Sequence, residues 1–428
     1  MSKNDIAWSR FIREKNILKE IYHPGFVYIT ADDLKAIGIR EPRLMAKQDT
    51  LSERPSDFRQ HDIAIFPVKN GQYILFRDPE NRSYFKFPDN ELELPVNIYQ
   101  SKVDFKKFDT YPGGQNFTES QAIDFAYISS LLRTYTGEEY LNLVIRGRMF
   151  SGNFDFLLPN IKHKVNVSGV QIEVDAGYES INSIYLIEAK IGKRDDFHIR
   201  QLYYPYLEWS HRSNKQVVPI FLIYTNSKYF FYEFGFSDNF GELFLKSSIC
   251  YAVNESPIAE INYPLLLRTI AVEDEPNIPY PQANDLDKVV DLLSLVKNGI
   301  DTKASISEYF EFEERQGDYY ANAARYLGFL EKDENKYALT ELGKILLDTK
   351  IASERTLLIF RQLLKRPTFR EAIHLLFTKN QDLDLITNDE ISQLLEKYTL
   401  LTGSTPPRRA STVRSWLAWI MLNGKIIT

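Results

Sequence analysis

The pattern of apolar and polar positions changes character twice along the 428 residues. From Met1 to about Tyr111 it is mixed. Ala31–Ile37 has the spacing of a short helix, and His61–Phe66 and Gly71–Phe76 read as strands. The second strand is entered through Asn70-Gly71, a pair suited to hairpins because both residues tolerate positive φ. Tyr111-Pro-Gly-Gly114 then breaks the pattern. From there the period is more regular. Thr118, followed by polar Glu119-Ser-Gln121, caps a helix whose apolar positions run to Leu132. Strands are predicted at Leu141–Phe150, Gly169–Gly177 and Ile184–Ile191, then a helix at Asp195–Trp209 and strands at Gln216–Thr225 and Phe230–Phe236. This order predicts a mixed sheet flanked by helices. Residues 241–285 predict no regular element, and Pro276-Asn-Ile-Pro-Tyr-Pro281 reads as a stiff linker. No repeat of the solenoid kind occurs.

Past that linker, helical spacing dominates. Leu286–Val296 is amphipathic, Ile306–Phe310 opens a second helix, and Phe312–Gly328 supplies a turn and a third helix ending at a C-cap glycine. Leu330–Leu339 is a compact hairpin, and Thr340 caps a helix over Glu341–Leu347. Three helices and a hairpin in this order predict a winged helix-turn-helix unit over 286–350, with the third helix as the DNA reader. That helix and the turn before it offer Arg315, Gln316, Tyr319, Tyr320, Asn322 and Arg325. Arg, Gln and Asn can address base edges in the major groove. Glu313, Glu314 and Asp318 add negative charge, which leaves a protein-binding winged helix open as the alternative. A second, similar unit is expected over 351–428. Its helices are Arg355–Leu364, Phe369–Phe377, Asp389–Tyr398 behind a Thr387 cap, and a last one after Thr405-Pro-Pro-Arg-Arg409. Trp416 and Trp419, three apart, are expected in its core. The expected divisions are thus 1–110, 111–240, a linker at 241–285, 286–350 and 351–428.

Composition narrows the picture. Hydrophobic residues make up 44% and charged residues 26%, ordinary values for a globular chain with a core of useful size. Aromatic residues reach 14%, more often core fillers than base-stacking platforms. The single cysteine, Cys250, excludes an internal disulfide and a multi-thiolate zinc site and points to a reducing compartment. No basic–apolar–small leader pattern is seen, and no apolar run approaches the roughly 18 residues of a membrane span. A cytoplasmic protein without a membrane partner is expected. The net charge of −6 speaks against a wholly basic nucleic-acid binder. It does not exclude a local positive surface. From Thr402 onward the chain has Arg408, Arg409, Arg414 and Lys425 and no Asp or Glu. Arg408 and Arg409 stand near a helix start, where phosphate binds well.

The stretch richest in chemistry is Val170-Gln-Ile-Glu-Val-Asp-Ala-Gly-Tyr-Glu179, followed by Ile184-Tyr-Leu-Ile-Glu-Ala-Lys190. A strand period of two turns Glu188 and Lys190 to one side. An acid and a base on an otherwise apolar strand need partners. Asp175 stands near the end of the preceding strand, so two adjacent strands can bring Asp175 and Glu188 to one cation. A hard ion such as Mg²⁺, for which Mn²⁺ can substitute, suits oxygen donors of this kind. A lysine beside it can favour hydroxide or stabilise charge on a phosphorane. The plain alternative is a structural ion pair at strand ends.

The Asp…Glu-x-Lys pattern on consecutive strands resembles the PD-(D/E)xK nuclease superfamily, and within it the type II restriction endonucleases. Asp175 matches the first metal-binding acid, Glu188 the second and Lys190 the lysine; Val174 stands where the name has proline. Arg146-Gly-Arg148 and Asp195-Asp-Phe-His-Ile-Arg-Gln-Leu-Tyr-Tyr-Pro-Tyr206 belong to the resemblance, as do Pro42-Arg-Leu-Met-Ala-Lys47 and Arg54-Pro55. It covers about residues 40–240. It implies an α/β (α+β) restriction-endonuclease-like fold, here with a helical C-terminal region of winged-helix type. It also implies Mg²⁺-dependent cleavage of double-stranded DNA to 5′-phosphate and 3′-hydroxyl ends, a homodimer, and a cognate DNA methyltransferase as genetic partner. Glu119, at a helix start, is a further candidate for the metal, or simply complements the helix dipole. Gln201 is a candidate to contact water, phosphate or Lys190, or a packing glutamine. Glu173 is a possible extra ligand or solvent-exposed. His198 and His211 are read as structural, since an oxygen site has no need of them. Two other readings stay open: a non-catalytic DNA-binding regulator with a nuclease-like domain, and a nuclease of repair or of defence against modified DNA.

Overall fold

The computed structural model describes residues 3–427 other than 89–93, 112–116, 159–160, 162, 238–241 and 311–313, and the side chains at 106, 308, 314 and 315 are likewise outside it. The break expected at Tyr111-Pro-Gly-Gly114 therefore lies largely outside the described residues. The chain opens with helices α1 (Lys3–Glu14) and α2 (Ile17–Tyr22), strand β1 (Phe26–Thr30), helices α3 (Ala31–Lys35), α4 (Pro42–Ala46) and α5 (Ser56–Gln60), and strands β2 (Ile63–Lys69) and β3 (Gln72–Arg77). The three strands form an antiparallel sheet in the order β1-β3-β2. Thr30 and Asp33 close a capping box that starts α3. The sequence reading found α3, β2 and β3 but not α1. Ala7, Trp8, Phe11 and Ile12 form its buried stripe, and it packs on Phe58 and Met45.

The central body begins with β4 (Tyr84–Lys86), β5 (Val96–Tyr99), α6 (Glu119–Ile128) and α7 (Leu131–Thr136). Strands β6 (Asn142–Phe150), β7 (Asn153–Leu157), β8 (Lys164–Ser168), β9 (Gln171–Glu179), β10 (Ser183–Ile191) and β11 (Asp196–His198) follow. Then come α8 (Arg200–Arg212), β12 (Gln216–Thr225), β13 (Lys228–Phe236) and β14 (Leu243–Val253). Seven strands make a mixed sheet in the order β5-β14-β13-β12-β10-β9-β6. The β10–β12 and β14–β5 pairs are parallel and the others antiparallel. Tyr185, Ile187 and Ala189 pack towards α6 and α7, whereas Ile184 and Leu186 pack towards α8. Burial on both faces is why β10 and β12 read as continuous apolar runs.

Two expectations are corrected here. The helix expected from Asp195 begins at Arg200, because Asp196–His198 pairs with β4 instead. Residues 241–285, expected to be irregular, contain the 11-residue β14 inside the main sheet. Ser247-Ser248 and the register shift beside Phe234 interrupt its alternation and conceal it from a period-two reading.

The last stretch contains β15 (Ala259–Asn262), α9 (Tyr263–Thr269), α10 (Leu286–Lys297), α11 (Lys303–Phe310), α12 (Glu314–Tyr326) and the hairpin β16 (Leu330–Asp333) and β17 (Lys336–Leu339). Helices α13 (Glu341–Asp348), α14 (Ala352–Lys365), α15 (Pro367–Thr378), α16 (Asn388–Tyr398) and α17 (Thr405–Asn423) lead to β18 (Gly424–Ile427). One buried cluster runs from Ala259 to Ile420, so the stretches 286–350 and 351–428 share a core. Trp416 is fully buried there, as expected, stacked on Phe369 at 5.0 Å, and Trp419 is also buried. Tyr280 of the Pro-rich segment is buried against Tyr326 and Phe369, so this segment is packed into the core rather than a free linker. Among the described residues 351–427 make no second hairpin; β18 pairs in parallel with β15. Helix α10 docks on the sheet through Thr225–Asp291 and Lys288–Asp195 hydrogen bonds. Among the described residues no helix is long and apolar enough to cross a membrane. Cys250 is buried, and burial pushes its thiol up to about 12.

Candidate active site where two strands part

The ladder between β9 and β10 runs from Glu179↔Ile184 to Ala176↔Ile187 and ends there. The next residues along it are Asp175 and Glu188. On its other side β9 keeps pairing with β6, but the register jumps from Ile145↔Gly177 to Gly147↔Val174. Asp175 and Ala176 thus oppose Arg146 alone, which is a bulge, and bulges re-aim side chains. The Asp175 carboxylate accepts the Ala189 N–H at 2.8 Å, in place of a ladder carbonyl. Gly177 is required beside this bulge: a Cβ there would lie 2.7 Å from the Cβ of Ile145. Arg146 braces the bulge, donating to the Asp175 carbonyl at 3.1 Å and to Asp124 of α6 at 2.6 Å. Asp124 escaped the sequence reading; its signal is a second acid on α6, five residues past Glu119.

Glu188 and Lys190 do share a side, as the strand period predicts. Lys190 Nζ donates to Glu188 Oε1 at 2.6 Å and lies 3.9 Å from Glu119 Oε1. Gln201, the second residue of α8, donates its amide to the same Glu188 oxygen at 3.2 Å, and its own carbonyl oxygen is buried without a partner. The structure therefore gathers Asp175, Glu188, Lys190, Glu119 and Gln201 from four elements. Burial raises the Glu188 carboxyl to about 8; Lys190 opposes the rise and Asp175 adds to it. Burial alone would lower Lys190, but Glu188, Glu119 and Asp175 overcome it and hold the ammonium charged. Glu119 is raised by desolvation, with Lys190 opposing, although 39% of its side chain stays exposed.

Three acidic groups thus act on one ammonium in a poorly solvated place, with Glu188 and Glu119 held above the usual carboxylate range. The donors are all oxygen, as a hard divalent cation requires. Among the described residues no three His, Cys, Asp or Glu side chains approach closely enough to form a ready-made cage. Glu173 is exposed and pairs with Arg148 at 3.2 Å. His198 is buried against Phe66 and Tyr84, and burial followed by Arg200 keeps it neutral. His211 is exposed, with Nδ1 2.7 Å from the Leu207 carbonyl. Neither histidine adjoins the carboxylates.

The expected DNA-reading residues separate into two groups. Gln316 is exposed on α12, Tyr319 is half-buried, and the side chain of Arg315 lies outside the described residues. Asn322 and Tyr320 correct the expectation. Asn322 is 6% exposed and accepts from Arg325 at 2.8 Å, while Tyr320 packs against the helical core. The reason is helical phase: Ala321, Ala324 and Leu327 are fully buried and turn their neighbours inward. In α17, Arg408 is exposed and Arg409 half-buried. Arg414 turns back to the Ile386 carbonyl at 2.5 Å and to Asp384 at 3.4 Å. Asp384 thus offsets Arg414 in the positive patch, and Lys425 stands in register with Glu260.

Three family models match the chain. Each is described as a domain of unknown function: DUF6996 over residues 5–75, DUF6997 over 79–252 and DUF7226 over 288–424. None spans half of the chain. The second ends with β14, in line with that strand's place in the main sheet. No curated protein and no solved structure matches.

Proposed function

We propose that this chain is a Mg²⁺-dependent, sequence-specific DNA endonuclease of the PD-(D/E)xK restriction type. The observation that carries the reading is the parting of β9 from β10 at Asp175 and Glu188, with Lys190 2.6 Å from Glu188. Asp175 and Glu188 would hold the cation, with Glu119 beside it; once bound, the ion supplies positive charge at the scissile phosphate and a more acidic water. The chain's own residues do the rest. The Ala189 N–H fixes Asp175, and Lys190 and Gln201 fix Glu188 from two sides. Lys190 remains charged and can stabilise negative charge building on the phosphorane. The sheet around them is the restriction-endonuclease-like part of the reading. The order α10, α11, α12, β16–β17 hairpin and α13 supports a winged helix-turn-helix reader, with Gln316, Tyr319 and Arg325 towards DNA. Cutting both strands takes two such sites, so the reading includes a homodimer.

A digest of mixed plasmid DNA tests this. Discrete fragments with 5′-phosphate ends are expected with Mg²⁺ or Mn²⁺, and none in EDTA. Discrete fragments formed in excess EDTA would remove the mechanism.

A further inference from the structure

Beyond Lys190 the chain leaves β10 through Gly192, which turns at φ +80°, and reaches Lys193 and Arg194. These two, with Lys86, Phe87, Asp195 and Asp285, line a cleft of about 290 Å³. Its charges are unevenly matched. Lys288 holds both Asp195 oxygens, at 3.0 and 2.9 Å. Lys193 and Asp285 pair at 3.3 Å. Among the described residues Arg194 and Lys86 have no carboxylate within ion-pair distance. Arg194 is 8% exposed, its guanidinium carbon is 5.8 Å from the ring centre of Tyr309, and its Nε has no hydrogen-bond partner. Its Nη1 donates to the Lys193 carbonyl at 3.5 Å; a buried guanidinium without a paired carboxylate is costly unless a counter-charge completes it. The same group acts electrostatically on Glu119 and on buried Asp291.

We propose that this cleft is a phosphate-binding subsite, a reading that rests on the nuclease assignment above. Arg194 and Lys193 take a backbone phosphate of duplex DNA flanking the cut bond, with exposed Lys86 on the rim. A guanidinium suits a phosphate oxygen, and Lys86 in the lining of the cleft is exposed.

The test uses the full chain with chelator present, so that nothing is cut. Binding of a fluorescent mixed-sequence duplex is measured over a KCl series for wild type, Arg194→Gln and Lys86→Glu. Each variant should bind more weakly and lower the log–log salt slope by about 0.9, one phosphate contact on B-DNA. Inorganic phosphate should compete with the duplex beyond the effect of chloride at equal ionic strength, and this excess should vanish in Arg194→Gln. Lys86 is exposed, so Lys86→Glu carries the test where Arg194→Gln does not fold. Unchanged slopes in the folded variants overturn the proposal, as does a wild type that binds no duplex. Phosphate competition with unchanged slopes overturns it too, by making free phosphate the ligand. A protein that cuts DNA with unchanged slopes loses this subsite alone. One that binds with the lowered slopes in its variants yet never cuts with Mg²⁺ loses the nuclease reading and keeps a DNA-backbone site.

Discussion

Glu188 is held by two donors, and the second of them offers the sharper test of positioning. Lys190 belongs to the proposed chemistry itself, whereas Gln201 touches Glu188 and sits on a different element. Groups that orient a metal ligand typically change metal affinity or activity by about 10–100-fold when lost. Gln201→Leu should therefore raise the Mg²⁺ concentration for half-maximal cleavage by about that factor and leave duplex binding in EDTA unchanged. A metal requirement equal to that of wild type would return Gln201 to a packing role. At this scale the sequence was informative where local geometry decides. A period of two places Glu188 beside Lys190 whatever the rest of the fold does. It failed for Asn322 and Tyr320, because a helix's phase against its core depends on residues elsewhere, here α10 and the aromatic cluster around Trp416.

At the scale of elements, the bulge between β6 and β9 sets where Asp175 points. Gly177 leaves room for Ile145. Gly177→Ala should force the strands apart and destabilise the fold by about 1–3 kcal/mol, the range for overpacking a tight core. Because Asp175 is two residues away, cleavage should fall further than the loss of folded protein explains. Thermal unfolding and cleavage measured together would show this; unaltered stability would mean the strands yield without strain. Most elements of the central sheet were legible, since β9, β10 and β12 carry strong apolar runs. Those that escaped carry weak local signals. Strand β14 has a broken alternation, and β11 is a strand only because β4 pairs with it.

At the scale of the whole molecule, α10 ties the helical region to the sheet through buried Asp291, which accepts from the Thr225 hydroxyl at 3.0 Å. Burial, reinforced by Asp287, raises its carboxyl to about 8, with the Thr225 hydroxyl opposing. A carboxyl raised in the fold contributes most below its unfolded pKa, about 4, and that contribution is lost as pH rises through about 8. Melting temperature should therefore fall between pH 6 and 9 in wild type and fall less in Asp291→Asn; parallel profiles would exclude Asp291 as the cause. The division of the chain was only partly legible. The Pro-rich segment has a linker's composition, yet Tyr280 is built into the helical core and β15 needs β18. A fragment ending near residue 256 should accordingly be more soluble than one ending at 280, which would strand β15 and α9 without their partners; the reverse order would restore 276–281 as the boundary. The central claim is tested most directly by binding and single-turnover cleavage measured on one target duplex for wild type, Asp175→Ala, Glu188→Ala and Lys190→Ala. The account predicts that all four proteins bind it in EDTA and that with Mg²⁺ only wild type cuts, the variants slower by on the order of a hundredfold or more. Near-normal cleavage by any of the three would contradict it.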